Sequence, residues 1–159
     1  MKKLKEEKIV AYHASKENIS TFDPNKTGRE FGVHFGSLES AKHRGAIGGT
    51  DYHIKKYELT VKNSLFLDDV FKWDASSVLR NMAIRGYISK KESIDLLSEI
   101  DKEATKRAKE KSSSLNSEKF KSLKHLLEKM GYDSIVYDNK GETGGVAYIV
   151  FDVSQIKEI

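Results

Sequence analysis

Apolar and polar positions alternate near the start of the chain, recur every three to four residues in its middle, and alternate again at its end. Lys8-Ile9-Val10-Ala11-Tyr12-His13 is a short β-prone run, and Tyr57, Leu59 and Val61 alternate with polar neighbours, which predicts strands at both places. Between them, Asp23-Pro24-Asn25-Lys26-Thr27-Gly28 holds the single proline of the chain and marks a loop. Gly32-Val33-His34-Phe35-Gly36 is an apolar piece bounded by glycines. Leu38 to Arg44 reads as a short helix, with Ser37 as N-cap and Glu39 in its first turn.

From residue 74 the period changes to that of helices. Asp74 is placed to cap a helix that runs through Arg85 and stops at Gly86. Ser89-Lys90-Lys91-Glu92 has the form of a capping box, followed by Leu97, Ile100, Ala104 and Ala108 at helical spacing. The stretch from Asp101 to Lys111 is almost wholly charged outside its alanines, so this helix is expected to project from the body. Ser112-Ser113-Ser114 predicts a break. Phe120, Leu123, Leu127 and Met130 then form one stripe, ended by Gly131. Two further apolar runs, from Asp133 to Tyr137 and from Val146 to Phe151, flank a polar, glycine-rich connection from Asp138 to Gly145, which is hairpin patterning. No repeat is evident. Strand blocks on both sides of a helical block predict an α+β fold with a mainly antiparallel sheet, in one domain spanning 1–159 with a helical insertion at about 70–130.

Composition narrows the function classes. The 159 residues and 18.0 kDa suit one domain. Cysteine is absent, which removes disulfides, thiolate catalysis and zinc–thiolate sites together. There is no apolar run of bilayer length, and Met1 to Lys8 is nearly all charged with no apolar segment of a secretory signal, so the expected place is a cytoplasm, its own or a host's. The net charge of +4 is local in origin: thirteen Lys/Arg stand against eight Asp/Glu between Val70 and His125. That block is either a solvated helical face or a surface that meets an acidic partner.

Three places attract chemistry. His13 ends a predicted strand before two small residues. The glycine-bounded piece around His34 lets backbone approach a ligand closely. Glu142 is an acid beside three glycines at the mouth of a strand. The histidines lack metal-ligand spacing. No dinucleotide fingerprint, Gly-Lys-Ser/Thr phosphate loop or Gly-x-Ser-x-Gly elbow occurs.

The ordered set carries a resemblance. Tyr12-His13-Ala14-Ser15, then Ile19-Ser20-Thr21-Phe22-Asp23-Pro24, then Gly32-Val33-His34-Phe35, resembles the Tyr-His-Gly-Thr, Ile-x-x-Phe-Asp-Pro and Gly-x-Tyr-Phe segments of ADP-ribosyltransferases. Tyr57 to Leu65 is similar to their strand leading into Lys-Asn-Pro-Leu. Gly131-Tyr132-Asp133-Ser134-Ile135 and Tyr148-Ile149-Val150-Phe151-Asp152-Val153-Ser154-Gln155-Ile156-Lys157 resemble their closing Gly-Tyr-Asp-Gly-Ile and Tyr-Val-Val-Phe-Asp-Pro-Ser-Gln-Ile-Lys. The subgroup is the small transferase domain of phage polyvalent proteins, with ADP-ribosylating anti-CRISPR proteins also similar. The resemblance covers roughly 9–67 and 130–159 and leaves the helical block uncovered.

That resemblance implies split antiparallel sheets, NAD as substrate, and a histidine–tyrosine–glutamate triad carried by His13, His34 and Glu142. His13 would bond a ribose, backbone groups of Ala14 would hold the nicotinamide amide, and Ser15 and Phe35 would complete the pocket. His34 stands where the family has its nicotinamide-stacking tyrosine. Lys26, Arg29 and Arg44 are the basic residues near the first two motifs, with Arg29 preferred for the diphosphate. The place two residues before Glu142 holds Lys140 and not the second acid of arginine-modifying families, which disfavours an arginine acceptor. The expected function is mono-ADP-ribosylation of a macromolecular acceptor, a protein rather than a nucleic acid, engaged by the basic helical block, in a phage or bacterial effector, toxin or anti-defence role. Two other readings remain: a non-catalytic binding protein on this fold, and an RNA 2′-phosphotransferase-like enzyme that uses His13 and His34.

Overall fold

The computed structural model describes residues 4–15, 33–48, 52–140 and 144–159. The predicted loop at Asp23–Gly28, the Ile19–Pro24 motif, Lys26, Arg29, Gly32 and Glu142 lie outside the described residues. Within them, the apolar alternation resolves into two small sheets. The first runs in the order β1 (Glu7–Ser15), β3 (His53–Val61), β7 (Ile156–Glu158). The second runs β2 (Val33–Phe35), β6 (Val146–Val150), β5 (Ser134–Asp138), β4 (Ser64–Leu67). One isolated bridge, Tyr12 to Gly36, stitches the sheets together. Helix α1 (Leu38–Gly48) follows β2 directly, and the Ser37 hydroxyl accepts from Ser40 N at 3.1 Å, as the cap chemistry predicted.

Pairing is antiparallel except between β4 and β5, which are parallel. That exception explains the helical block. Parallel neighbours cannot be joined by a tight turn and need a long crossover. Here the crossover is α2 (Ala75–Ile84), α3 (Lys90–Lys111) and α4 (Leu115–Lys129). The predicted punctuation holds. Asp74 accepts from Ser77 N at 2.8 Å, Ser89 and Glu92 form the capping box, and Gly131 sits at φ +96, where a side chain would be strained.

Strand alternation divides the second sheet into two faces. Leu65, Leu67, Ile135, Tyr137, Ala147 and Ile149 turn toward Val78, Leu79 and Met82 of α2 and Leu123 and Leu127 of α4. Val33, Phe35 and Val150 turn the other way, onto Ala11, Tyr57, Leu59 and Val61 of the first sheet. The two cores meet along the strands that carry the candidate chemistry.

The charged half of α3 does not project. Helix α4 folds back along it, Ala104 is wholly buried, and Lys119 reaches Asp101 at 3.3 Å. Glu118, 1% exposed, receives Arg107 Nε at 3.1 Å and Ser113 Oγ at 2.9 Å, and Arg107 also bonds Ser122. Burial raises the Glu118 pKa, but those bonds and Lys121 outweigh it and hold the carboxyl below its usual range. The charge run thus seals a helical hairpin, which charge pattern alone could not distinguish from a solvated helix.

Gln155 ties the sheets together opposite the bridge. Its Oε1 accepts from Phe151 N (3.1 Å) and Asp152 N (2.8 Å), and its Nε2 donates to Thr60 O and Asp133 O (3.1 Å each). Thr60 belongs to the first sheet, and Asp133 and Phe151 border the second. Gln155→Leu removes four bonds, takes the acceptor from the Asp152 amide and leaves the Phe151 amide its longer bond to Asp133 O (3.3 Å). It is expected to cost about 2–4 kcal/mol, read as a lower urea midpoint; a loss under about 0.5 kcal/mol would show that the side chain is not a tie.

Candidate active site

The seam between the sheets opens as a shallow cleft of about 320 Å³, counting space open to solvent. Tyr12, His13 and Ala14 come from β1, and His34, Phe35 and Gly36 from β2 and its end. Ser40, Ala41 and Arg44 come from one face of α1, and Tyr137 and Asn139 from the end of β5.

The backbone sets one wall. Tyr12 and Gly36 exchange two bonds, at 2.8 and 2.9 Å, so the Tyr12 amide and carbonyl face β2. Residues two apart on a strand aim their backbone groups to the same side. The Ala14 N–H and C=O therefore face that edge too, beyond the point where β2 has ended and the chain turns into α1. A donor and an acceptor side by side are what a primary amide can pair with. The methyl group of Ala14, in the family's glycine position, lies on a strand face and leaves both backbone groups in place.

A backbone carbonyl orients His13. Its Nδ1 lies 2.8 Å from the His34 carbonyl oxygen. A carbonyl only accepts, so Nδ1 carries a proton, and in the neutral ring Nε2 is the acceptor. The ring also lies 5.6 Å from Phe35, which in turn meets Tyr57 at 5.4 Å. Phe35 is thus a buried support for the imidazole.

His34 points to the opposite face of β2. Its Nδ1 lies 3.1 Å from the Tyr137 hydroxyl, and its ring meets Trp73 at 5.9 Å and Tyr137 at 6.1 Å, both near-perpendicular. Trp73 and Tyr137 lie 4.5 Å apart. Burial lowers the His34 pKa from 6.5 to about 4; the nearby charges of Arg44 and His13 push the same way, and Asp69 opposes them. The ring is uncharged at neutral pH.

Of the residues read from sequence, His13, Ala14, His34 and Phe35 meet in this cleft. Ser15 ends β1 opposite His53 and is not among the lining residues. Arg29 and Glu142 lie outside the described residues, and Arg44 is the described arginine at the cleft. Asn139 N donates to Gly145 O at 2.8 Å and Gly144 N to Asn139 O at 2.9 Å. The connection that carries Glu142 therefore starts from a cleft-lining residue. Sequence reasoning missed Tyr137, Asn139 and Trp73. Trp73 is the single tryptophan of the chain and sits just before a capped helix, which was the available signal. Among the described residues, no group of three or more His, Asp or Glu side chains is placed to hold a metal ion, and no helix is long and apolar enough to cross a membrane.

Two small open sheets with a helical crossover are consistent with the fold expected of ADP-ribosyltransferases. The family model for ADP-ribosyltransferases in polyvalent proteins matches residues 5–159, so the chain belongs to that family, as the ordered motifs implied. The fold is also similar to a solved crystal structure of an anti-CRISPR protein, over 96% of each chain, at 16% identity and a TM-score of 0.42. No curated protein matches the chain.

The His34 environment makes a pH prediction. Its folded pKa lies below its unfolded value, so the unfolded chain binds more protons between about pH 6.5 and 4. Stability is fully present above pH 6.5 and falls as the pH drops through that window, by about 3 kcal/mol in all. His34→Tyr takes up no proton there. Urea denaturation of the two proteins at pH 7 and pH 4.5 is expected to show a smaller acid loss in the variant; equal losses would contradict a buried neutral imidazole.

Proposed function

We propose that the protein is a mono-ADP-ribosyltransferase that cleaves NAD at the nicotinamide–ribose bond and passes ADP-ribose to a macromolecular acceptor. The observation that carries this reading is the convergence of His13, the Ala14 edge and His34 in one cleft, from whose wall the connection bearing Glu142 departs. Three residues of chain span at most about 11 Å, which keeps Glu142 within reach of Asn139 and so of the cleft.

In this reading His13 Nε2 accepts a bond from a ribose hydroxyl, the Ala14 backbone pair holds the carboxamide, and Arg44 faces the diphosphate. The bond that breaks joins ribose C1′ to the pyridinium nitrogen, and its electron pair leaves with nicotinamide, which becomes neutral. The acceptor's nucleophile forms the new bond to C1′ and gives up a proton. Positive charge builds on the ribose as the old bond lengthens. The Glu142 carboxylate stabilises that charge where it appears and orients the sugar through its 2′-hydroxyl.

The acceptor is read as a protein, met by the basic helical block. In support, Lys102, Lys106 and Lys109 fall on one helical row of α3, on the side away from Ile100 and Ala104, which are buried. The reading includes an anti-defence or effector role for this member of a family of transferases in polyvalent proteins.

The test is incubation with labelled NAD and a cell lysate, following nicotinamide release and label on protein. Glu142→Ala is expected to lower both by about two to three orders of magnitude. Thermal stabilisation by NAD with no nicotinamide released by the wild type would instead favour a binding protein. Release that survives in Glu142→Ala would remove the proposed role of the acid.

A further inference from the structure

The family places a tyrosine where this chain has His34. The substrate ring that would lie there is a cationic pyridinium, so an imidazolium in the same place would repel it. An uncharged imidazole presents a π-system that a cation tolerates. A neutral histidine still has two tautomers, and they put the donor and the acceptor on opposite sides of the ring. Something must choose between them if the ring is to present one surface.

Tyr137 stands at the right atom. Its side chain is 7% exposed, lines the cleft, and brings its hydroxyl to 3.1 Å from His34 Nδ1. A phenol is a better donor than acceptor, because its oxygen lone pair is delocalised into the ring. Donation to Nδ1 leaves the imidazole proton on Nε2. The near-perpendicular approach of Tyr137 to His34 and its 4.5 Å contact with Trp73 keep the phenol from swinging away. The other charged or titratable groups that bear on His34 among the described residues are Arg44 from α1, His13 from β1 and Asp69 from the segment after β4. Two are cationic or can become so, and they disfavour a third positive charge.

We propose that Tyr137 is a positioning residue of the nicotinamide site: its hydroxyl donates to His34 Nδ1 and fixes His34 as the neutral, Nε2-protonated ring against which a cationic nicotinamide is held. The tyrosine lost from β2 is in this way replaced by a two-residue device, with the ring on β2 and the phenol on β5. The nicotinamide part of this inference rests on the transferase reading; the tautomer part does not.

The test has two arms. Nitrogen-15 NMR of the labelled wild type, with His34 assigned through His34→Tyr, is expected to show the Nε2-protonated form at pH 7.5, and Tyr137→Phe is expected to give a mixture of tautomers. In steady-state NAD cleavage, Tyr137→Phe is expected to raise KM about fivefold, the worth of one ordinary hydrogen bond, with kcat changed less than twofold. In a His34→Tyr background, which needs no tautomer, Tyr137→Phe is expected to leave KM unchanged. A wild-type proton on Nδ1, or an equal KM penalty in both backgrounds, overturns the proposal, the second result because a purely structural tyrosine would act alike in each. Should Tyr137→Phe not fold, the wild-type tautomer still decides. If the wild type neither binds nor cleaves NAD, the transferase reading fails and the NMR arm alone judges the His34–Tyr137 bond.

Discussion

The molecule depends on how its two sheets are held at a fixed splay. At one point Tyr12 and Gly36 exchange a pair of backbone bonds, and past it the strands part because β2 ends and α1 begins. At another, the Gln155 amide spans both sheets with four bonds. Between these ties lies the small core of Ala11, Phe35, Tyr57, Leu59 and Val150. The cleft is the gap that remains when two sheets are joined at a seam and not along their whole length. Its walls are mostly backbone edge and strand-borne rings, which are among the stiffest parts of a protein and suit a site that must hold geometry.

Charge is distributed across this gap with a consistent logic. His34 is kept neutral by burial and by the cations around it. Arg44 stands on the exposed face of α1, where an anion can reach it. In the transferase reading proposed above, the neutral ring suits a cationic pyridinium and the guanidinium an anionic diphosphate.

Much of this was legible in the chain. Capping residues gave the helix starts at Asp74 and Ser89 and the stop at Gly131, because caps answer to local backbone chemistry. Alternation gave β3, whose Tyr57, Leu59 and Val61 are all buried as read. The pairing of β4 with β5 was not legible, since parallel register is set by contacts seventy residues apart and leaves no turn signature. Nor was the α3–α4 hairpin, because a charged surface and a charged seam share one composition until Arg107 and Glu118 are seen to meet. At the site, His13 and His34 stood out by residue type, whereas Tyr137 read as one member of an apolar run. Its hydroxyl acquires meaning only through what it touches.

Trp73 belongs to the first turn out of β4, yet its ring reaches the far end of the second sheet and closes on His34 and Tyr137. It is the one indole in the chain. The single tryptophan therefore stands against two residues that line the cleft, where a histidine is an efficient quencher once it gains a proton. Emission from unmodified protein reports directly on the local state of this pocket, so occupancy and acidification can be followed optically without attaching any dye.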